Sequence, residues 1–382
     1  MSSIYLDNHA TTPVDPAVLD AMLPFFTEHF GNAASINHEF GWKAGEAVDE
    51  ARAQVAGLLN TDPRAVVFTS GATEANNLVI KGVMHAAGPG SHLITNEAEH
   101  RAVLDPSRRL KRMGHEVSIL PVDRFGQIQP SEIVEAIKSN TALVSVMMAN
   151  NEVGTINNVA EIAEICQRYN VKFHSDAVQA VGKLPIDLKQ TPIDLLSISA
   201  HKIYGPKGVG ALIVRRGKSR TALTAQIDGG GHENQLRSGT LPVPLIVGFG
   251  RACVLAAELR VDEGQRIEQL RNELWGSLQS RLEGIQRNGH HVECLSGNLN
   301  ISVEGIDGEA LMNAMSSIAV SSGSACTSAD PEPSHVLTAM GVPDQLCRAS
   351  LRVGIGRFNS STDIVQASNV VVDAVQRLRS NG

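Results

Sequence analysis

Short apolar segments alternate with helical patterns across residues 60–214, and this alternation limits the folds that the chain can adopt. The apolar character of these segments is nearly continuous, which is typical of strands buried on both faces. A helix is predicted over residues 44–59, where one apolar stripe recurs at helical spacing. The pattern predicts an α/β domain with a mostly parallel sheet covered by helices. The segments predicted as its strands are 65–68, 92–95, 116–120, 143–148, 171–174, 195–199 and 210–214.

The composition changes near Glu258, where charged residues become frequent. A long amphipathic helix is predicted from there to about residue 282, with leucines at four-residue steps. We therefore expect a large domain over 15–257 and a smaller α+β domain over 258–382. The other elements predicted in the smaller domain are strands over 298–303 and 350–355 and a helix over 309–315.

The bulk properties exclude several classes of protein. Lys and Arg number 33 against 40 Asp and Glu, so the net charge of −7 does not favour direct nucleic-acid binding. The first residues lack the basic and apolar regions of a signal peptide. The chain also lacks an uninterrupted apolar stretch of about 18 residues. We expect a soluble, cytoplasmic protein that does not bind a membrane.

The cysteine pattern argues against a disulfide framework and against a structural metal site. The five cysteines are an odd number and form no C-x-x-C pair, which leaves room for one reactive thiol. Cys326 is the candidate, because it lies in the small, polar segment Ser321-Ser322-Gly323-Ser324-Ala325-Cys326-Thr327-Ser328. Exposure favours thiol reactivity, although many free cysteines are simply small buried hydrophobes. Structural roles are expected for the other cysteines, which are Cys166, Cys253, Cys294 and Cys347.

Lys202 is the strongest candidate for covalent chemistry. It follows the apolar run 193–198 within Ser199-Ala200-His201-Lys202 and precedes the glycine-rich turn 204–210. An amine at the end of a buried strand becomes nucleophilic when burial and neighbouring cations disfavour its protonated form. This placement is typical of a lysine that forms a Schiff base. The alternative is a solvated loop lysine.

Two other segments favour a pyridoxal phosphate enzyme. The β-prone run 173–176 ends in Asp176, with Gln179 close behind. Such enzymes need a carboxylate against the pyridine nitrogen and a donor near the phenolic oxygen. Residues 66–77 resemble a strand, a Ser-Gly turn and a helix start, whose N–H groups can bind an anion. The alternatives are a helix-capping Asp176 and an ordinary strand-to-helix turn.

Seven motifs in order then carry a family resemblance over nearly the whole chain: SGATEANN, EAEHRAVLD, ANNEVGT, HSDAVQAVGK, SAHKIYGPKGVGAL, RSGTLPV and SSGSACTS. Together they resemble a class I cysteine desulfurase of the NifS/IscS type, within the fold-type I pyridoxal phosphate enzymes. The resemblance implies an α/β fold with a large domain containing a seven-stranded sheet, plus a smaller α+β domain. It also implies that an N-terminal arm, residues 1–14, packs with the smaller domain.

The resemblance implies a reaction and the residues that perform it. Lys202 binds pyridoxal 5'-phosphate covalently, and its amine later removes the Cα proton of L-cysteine. Cys326 then attacks the substrate sulfur, which leaves a persulfide on the protein and releases L-alanine. His100 stacks on the pyridine ring and exchanges a proton with the substrate thiol, and Arg352 binds the substrate carboxylate.

The same resemblance assigns the remaining contacts. Asn151 lies near cofactor and substrate, whereas Thr73, Ser199, His201 and the backbone of Ala72 bind the cofactor phosphate. Thr240 reaches the phosphate of the partner subunit, which implies a homodimer. Each assigned side chain also has a local structural alternative, such as a turn or capping role.

The sequence leaves the sulfur acceptor open. Housekeeping members of the family carry a longer C-terminal tail that docks the scaffold protein, whereas this chain ends at Gly382 soon after its last predicted helix. Iron–sulfur cluster assembly, tRNA thiolation and DNA phosphorothioation all remain possible uses of the sulfur. The alternatives to a desulfurase are a selenocysteine lyase, another fold-type I enzyme, and a catalytically silent relay subunit.

Overall fold

A computed structural model describes residues 3–217, 221–322 and 333–380. Within these residues, the central sheet has seven strands in the order β2-β8-β7-β6-β5-β3-β4. Neighbouring strands are parallel except for β8, which runs antiparallel to both β2 and β7. The strands are β1 (Ile4–Tyr5), β2 (Val66–Thr69), β3 (His92–Asn96), β4 (Glu116–Leu120), β5 (Thr141–Ser145), β6 (Lys172–Asp176), β7 (Leu195–Ser199), β8 (Gly210–Val214), β9 (Ile285–Asn288), β10 (Asn298–Val303), β11 (Ile318–Ala319) and β12 (Ser350–Gly354).

Helices cover both faces of this sheet, which confirms the predicted α/β architecture. Phe68, Val144 and Phe173 pack on one face with the helices that flank it. Val67, Leu143 and Leu195 pack on the opposite face. The helices are α1 (Pro16–Met22), α2 (Pro24–Thr27), α3 (Glu39–Leu58), α4 (Ala72–Ala87), α5 (Arg101–Arg112), α6 (Pro130–Ala136), α7 (Val159–Arg168), α8 (Val243–Arg281), α9 (Gly308–Ala314), α10 (His335–Ala339), α11 (Asp344–Arg348) and α12 (Ser361–Ser380), with short 3₁₀ turns at Pro63–Ala65, Ala200–Lys202 and Glu233–Gln235.

Helix α8 begins fifteen residues before the predicted start at Glu258, so that prediction was wrong. Pro244 does not prevent the helix, because it occupies the first turn, where its missing N–H has no partner to lose. The helix buries Ile246, Phe249 and Ala252 in the core of the large sheet. Its later part buries Leu274 in a separate core. The change of composition at residue 258 therefore falls inside one continuous helix.

That separate core lies around a second sheet, in which β10 pairs antiparallel with β9 and β12. The N-terminal strand β1 pairs in parallel with β11, and Leu6 packs in the same core. Asp7 then forms an isolated bridge to Gly354. The first residues of the chain thus pack with elements between residues 267 and 375 before the chain reaches the central sheet. Among the described residues, no helix is long and apolar enough to cross a membrane.

Candidate active site

A cavity of about 600 Å³ opens where the parallel strands β6 and β7 end, next to the first turn of α4. Ligands of open α/β sheets bind at this edge, because the loops that follow parallel strands meet there. Its volume lies in the range typical of cofactor sites. The predicted site residues that line it are Ala72, Thr73, His100, Asn151, Asp176, Gln179, Ser199, His201, Lys202 and Arg352.

The amine of Lys202 lies at the end of the 3₁₀ turn that follows β7. Its Nζ donates hydrogen bonds of 2.5 Å to the carbonyl oxygens of His9 and Ala10. Both carbonyls belong to the chain's first residues, far from Lys202 in sequence. The N-terminal segment therefore fixes the position of this amine.

Asp176 is the last residue of β6, and it lines the cavity. It accepts hydrogen bonds from Nδ2 of Asn76 at 2.7 Å and from the backbone N–H of Val178 at 3.0 Å. Residues 177–183 form turns, so Asp176 does not cap an α-helix, which was the alternative. Two N–H donors that fix the position of a carboxylate suit a partner for a protonated ring nitrogen.

Gln179 belongs to a buried network with two residues that the sequence analysis did not single out. Its Oε1 lies 3.0 Å from Nδ1 of His9 and accepts a hydrogen bond of 3.2 Å from Nζ of Lys183. Its Nε2 donates to the carbonyl oxygen of His9 at 2.9 Å. Desolvation and, to a smaller extent, repulsion from the charge of Lys202 lower the pKa of Lys183 to about 7. The amine of Lys183 donates to Oε1, which identifies Oε1 as the acceptor and orients the amide.

An anion site is formed at the start of α4. Gly71 at φ 150° precedes the helix, and no described side chain caps it. A Cβ at Gly210 would lie 2.8 Å from the Cα of Gly71, so this close approach of β8 requires glycine. The hydroxyl of Ser199 and the side chains of Thr73 and His201 line the same end of the cavity. An uncapped helix start with hydroxyl groups fits a phosphate.

His100 caps α5, which fixes the orientation of its ring. Its Nδ1 accepts a hydrogen bond of 3.0 Å from the backbone N–H of Ala102. In the neutral ring the proton therefore lies on Nε2. Burial lowers the pKa of His100 below 6.5; Asp176 opposes this shift and Lys202 adds to it. The neutral form thus dominates near neutral pH.

His201, next to Lys202, is also held neutral. Desolvation and then the charges of Lys202 and Lys207 lower its pKa to about 4. Its Nδ1 lies 3.1 Å from Oγ1 of Thr11, another residue of the N-terminal segment. A neutral imidazole can donate one hydrogen bond to an anion without adding a charge.

Arg352 on β12 reaches the cavity from the opposite side. The residue is only 5% exposed, and its Nη2 lies 2.9 Å from Oδ1 of Asp7. Its Nη1 lies 3.5 Å from the carbonyl oxygen of Asn151. Its Nε is buried and has no hydrogen-bond partner among the described residues. Among the described residues, Nη1 therefore keeps N–H groups that a ligand can use.

Two buried glutamates support these residues and were not predicted. Glu99 accepts hydrogen bonds from Nδ2 of Asn96 and the N–H of Met147, and burial raises its pKa to about 8. Glu152 accepts a hydrogen bond of 2.5 Å from Ser334, and burial raises its pKa to about 7. Both glutamates lie inside the sequence motifs already described. Glu99 precedes His100 and Glu152 follows Asn151, and this adjacency is the signal from which they could have been predicted.

One predicted site residue lies outside this cavity, and another lies outside the described residues. Cys326 lies outside the described residues. Thr240 is exposed and does not line the cavity of its own chain. Burial raises the pKa of the Cys166 thiol to about 12 and raises that of Cys253, which makes both thiols weak nucleophiles. In the described parts of the chain, no cluster of three or more His, Cys, Asp or Glu side chains could hold a metal ion.

Comparison with known proteins places this chain in a family. The model of the aminotransferase class-V family matches residues 4–366. The cysteine desulfurase IscS of Anaeromyxobacter dehalogenans is 51% identical over 377 residues, which cover 98% of this chain and 93% of that protein.

Solved structures agree with this match. A NifS-like protein superposes with a TM-score of 0.92 at 35% identity, covering 98% of this chain and all of the other. SspA in complex with cysteine superposes with a TM-score of 0.83 at 35% identity, covering 94% of this chain and all of the other. The chain therefore belongs to the aminotransferase class-V family, among the pyridoxal phosphate-dependent cysteine desulfurases.

Proposed function

We propose that this chain converts L-cysteine into L-alanine and retains the sulfur as a persulfide on Cys326. The observation that carries the proposal is the shared cavity of Lys202, Asp176, His100 and Arg352. An amine, a carboxylate, an imidazole and a guanidinium are the groups that an amino-acid substrate and a pyridoxal cofactor require. Structural similarity to SspA in complex with cysteine supports the choice of substrate.

The residues that line the cavity fit pyridoxal 5'-phosphate. Thr73, Ser199, His201 and the first amides of α4 would bind the phosphate. Asp176 would face the pyridine nitrogen, and Nε2 of Gln179 would donate to the phenolic oxygen. When bound, the cofactor accepts the electron pair released as the Cα–H bond breaks.

Lys202 is proposed both to tether the cofactor and to move the substrate's Cα proton. A neutral lysine amine has two N–H groups and one lone pair. The carbonyl oxygens of His9 and Ala10, each 2.5 Å from Nζ, orient these N–H groups and thereby set the direction of the lone pair. An amine held in this way can accept a proton at a defined position.

Arg352 and Asn151 are proposed to bind the substrate carboxylate. The guanidinium keeps a fixed position through Asp7, and its remaining N–H groups can donate to a carboxylate. His100 holds its proton on Nε2 and is proposed to exchange a proton with the substrate thiol. The orientation of its ring follows from the hydrogen bond between Nδ1 and Ala102.

The sulfur transfer requires a thiolate from the enzyme. Cys326 attacks the substrate sulfur, so an S–S bond forms and the C–S bond breaks. The electron pair of the C–S bond stays on the substrate carbon, which is then protonated to give alanine. The persulfide next passes to an acceptor protein, which we place with the enzyme in the cytoplasm.

A homodimer is part of the same proposal. Large apolar residues are exposed along the segment 26–42: Phe26, Phe30, Ile36 and Trp42 are each between 53% and 78% exposed. Apolar groups of this kind mark protein interfaces. Thr240 is exposed on the same chain, where a partner subunit could receive it. Analytical ultracentrifugation at micromolar concentration tests this part, and a monomer would contradict it.

The thiol assignment is tested with Cys326→Ala, and Cys294→Ala serves as the matched control. Each protein is incubated with L-cysteine, and both alanine and protein-bound persulfide are measured. We expect Cys326→Ala to retain cofactor and bind cysteine but to form no persulfide. Cys294→Ala should behave as the unchanged protein, because burial raises the pKa of that thiol. Unchanged persulfide formation by Cys326→Ala would refute the proposal.

The lysine assignment is tested by borohydride reduction followed by peptide mass mapping. We expect the cofactor to be found on the peptide that contains Lys202. Lys202→Ala should lose this adduct, whereas the surface variant Lys189→Ala should keep it. An adduct at any other lysine would require a different mechanism.

A further inference from the structure

Among the described residues, the guanidinium of Arg352 has few hydrogen-bond partners. A buried donor without a partner is costly, so a purely structural arginine normally fills its hydrogen bonds. Here one nitrogen, Nη2, binds Asp7 at 2.9 Å, and Nη1 makes only a long contact of 3.5 Å with the carbonyl of Asn151. The buried Nε has no partner among the described residues.

Asp7 is held in place by contacts other than the arginine. Its Oδ2 accepts a hydrogen bond of 2.8 Å from Oγ of Ser321. Its backbone bridges Gly354, two residues after Arg352. Ser321 also exchanges backbone hydrogen bonds with Arg352 in both directions, at 3.2 and 2.7 Å. The carboxylate, the hydroxyl and the guanidinium therefore form one connected unit.

All three residues of this unit line the cavity with Lys202. A long, flexible arginine side chain loses entropy when it must bind a ligand in one orientation. An arginine whose orientation is already fixed loses less, so its ligand binds more tightly. The bond from Asp7 fixes the guanidinium, and Nη1 keeps N–H groups that a ligand can use.

We propose that Asp7 is a positioning residue for the substrate carboxylate, acting through Arg352, with Ser321 as its second anchor. The inference rests on the proposed function, in which Arg352 binds that carboxylate. It assigns a role in substrate selection to a residue of the N-terminal segment. We expect removal of Asp7 to weaken the binding of amines that carry a carboxylate and to leave the binding of other amines unchanged.

The test measures how strongly the holoenzyme prefers a carboxylate. L-alanine and ethylamine differ by that group alone, and each is titrated by the change in the cofactor's visible absorbance. The ratio of their dissociation constants is the carboxylate preference. We expect Asp7→Ala to lower this preference about tenfold, the size expected for one hydrogen bond to a charged group. Asp7→Asn should stay within about threefold of the unchanged protein, because its amide oxygen accepts the same bond.

Two further variants separate the possible outcomes. Asp15→Ala removes another partly buried partner of an arginine, since Asp15 binds Arg357 at 2.8 Å, and it should leave the preference unchanged. Arg352→Lys should abolish the preference. If it does not, the proposed role of Arg352 fails, and this inference fails with it. If Arg352→Lys abolishes the preference but Asp7→Ala does not lower it, only the inference about Asp7 is wrong.

Ser321→Ala provides a second test of the inference if Asp7→Ala does not fold or does not bind the cofactor. This variant leaves the charge of Asp7 and the backbone pairing with Arg352 but removes the second anchor. We expect the carboxylate preference to fall about threefold, less than for the loss of Asp7 itself. A preference equal to that of the unchanged protein in Ser321→Ala would then overturn the inference.

Discussion

The side-chain amide of Asn76 donates a hydrogen bond of 2.7 Å to the carboxylate of Asp176. The two residues are a hundred positions apart and meet because α4 begins beside the end of β6. We predict that Asn76→Ala weakens cofactor retention about tenfold, since a bond to a charged group is lost. Dialysis followed by absorbance gives the rate of cofactor loss. Asn77→Ala, which removes only an exposed bond to Thr73, is the control and should have little effect.

The acid limb of the pH–rate profile should lie below pH 6.5. His100 is proposed to act in its neutral form, and burial lowers its pKa, so activity falls only when the pH drops through that lowered value. His100→Gln should reduce kcat by about 10²–10⁴-fold and remove this limb. Asp105→Asn should shift the limb to still lower pH, because the charge of Asp105 raises the pKa of His100. An unchanged limb in both variants would contradict the assignment.

Glu99 makes the stability of the protein depend on pH. Burial raises the pKa of the Glu99 carboxyl from its ordinary value of 4.5 to about 8. Between these two pH values, the folded protein therefore carries a proton on Glu99 that the unfolded protein has lost. Its contribution is therefore fully present below pH 4.5 and is lost as the pH rises through about 8. Glu99→Gln cannot ionise, so its Tm should fall less than that of the unchanged protein from pH 5 to pH 9. The difference in unfolding free energy should change by at most about 1.4 kcal/mol per pH unit.

Ser334 should contribute measurably to stability. Its hydroxyl donates to the buried Glu152 and accepts the N–H of Leu337, which caps α10. We predict that Ser334→Ala lowers the free energy of unfolding by about 1–3 kcal/mol, because a cap is lost and a buried carboxyl loses its donor. Ser280→Ala, which removes only an exposed bond to Ser277, should cost much less in the same urea titration.

A strained turn precedes Thr240. Glu233, Asn234 and Gln235 adopt positive φ values of 50°, 57° and 65° in succession. We predict that Gln235→Gly raises the free energy of unfolding by about 1 kcal/mol, because glycine adopts this conformation without strain. Gln167→Gly, in helix α7, should instead lower it by about 1 kcal/mol. Urea titration of both variants measures the two opposite signs.

The sheet could be predicted from sequence because its signal is local. Strands β7 and β8 have the predicted bounds, since every residue in them is buried and most of these residues are apolar. The start of α8 could not be predicted in this way. Its first part is apolar on most sides and contains Pro244, and a helix of that kind has no amphipathic pattern.

The sequence predicted those residues of the cavity that belong to recognisable motifs. Asp176, Ser199 and Lys202 stand at strand ends, so their meeting was predictable from the topology. Asp7 and His9 were missed, because their partners Arg352 and Gln179 lie 345 and 170 residues away. Contacts at such separations leave no periodic trace in the sequence.

The N-terminal segment imposes an order on assembly during translation. Tyr5 pairs with Ala319, so the first strand leaves the ribosome long before its partner exists. Synthesis of the roughly 310 residues between them takes on the order of 15–60 s. Until β11 has been made, β1 has no partner strand. The segment that follows β1, with the carbonyl groups of His9 and Ala10 that bind Lys202, is therefore not yet held in place. A nascent chain can thus form its central sheet early, yet its catalytic amine is set in place only near the end of synthesis.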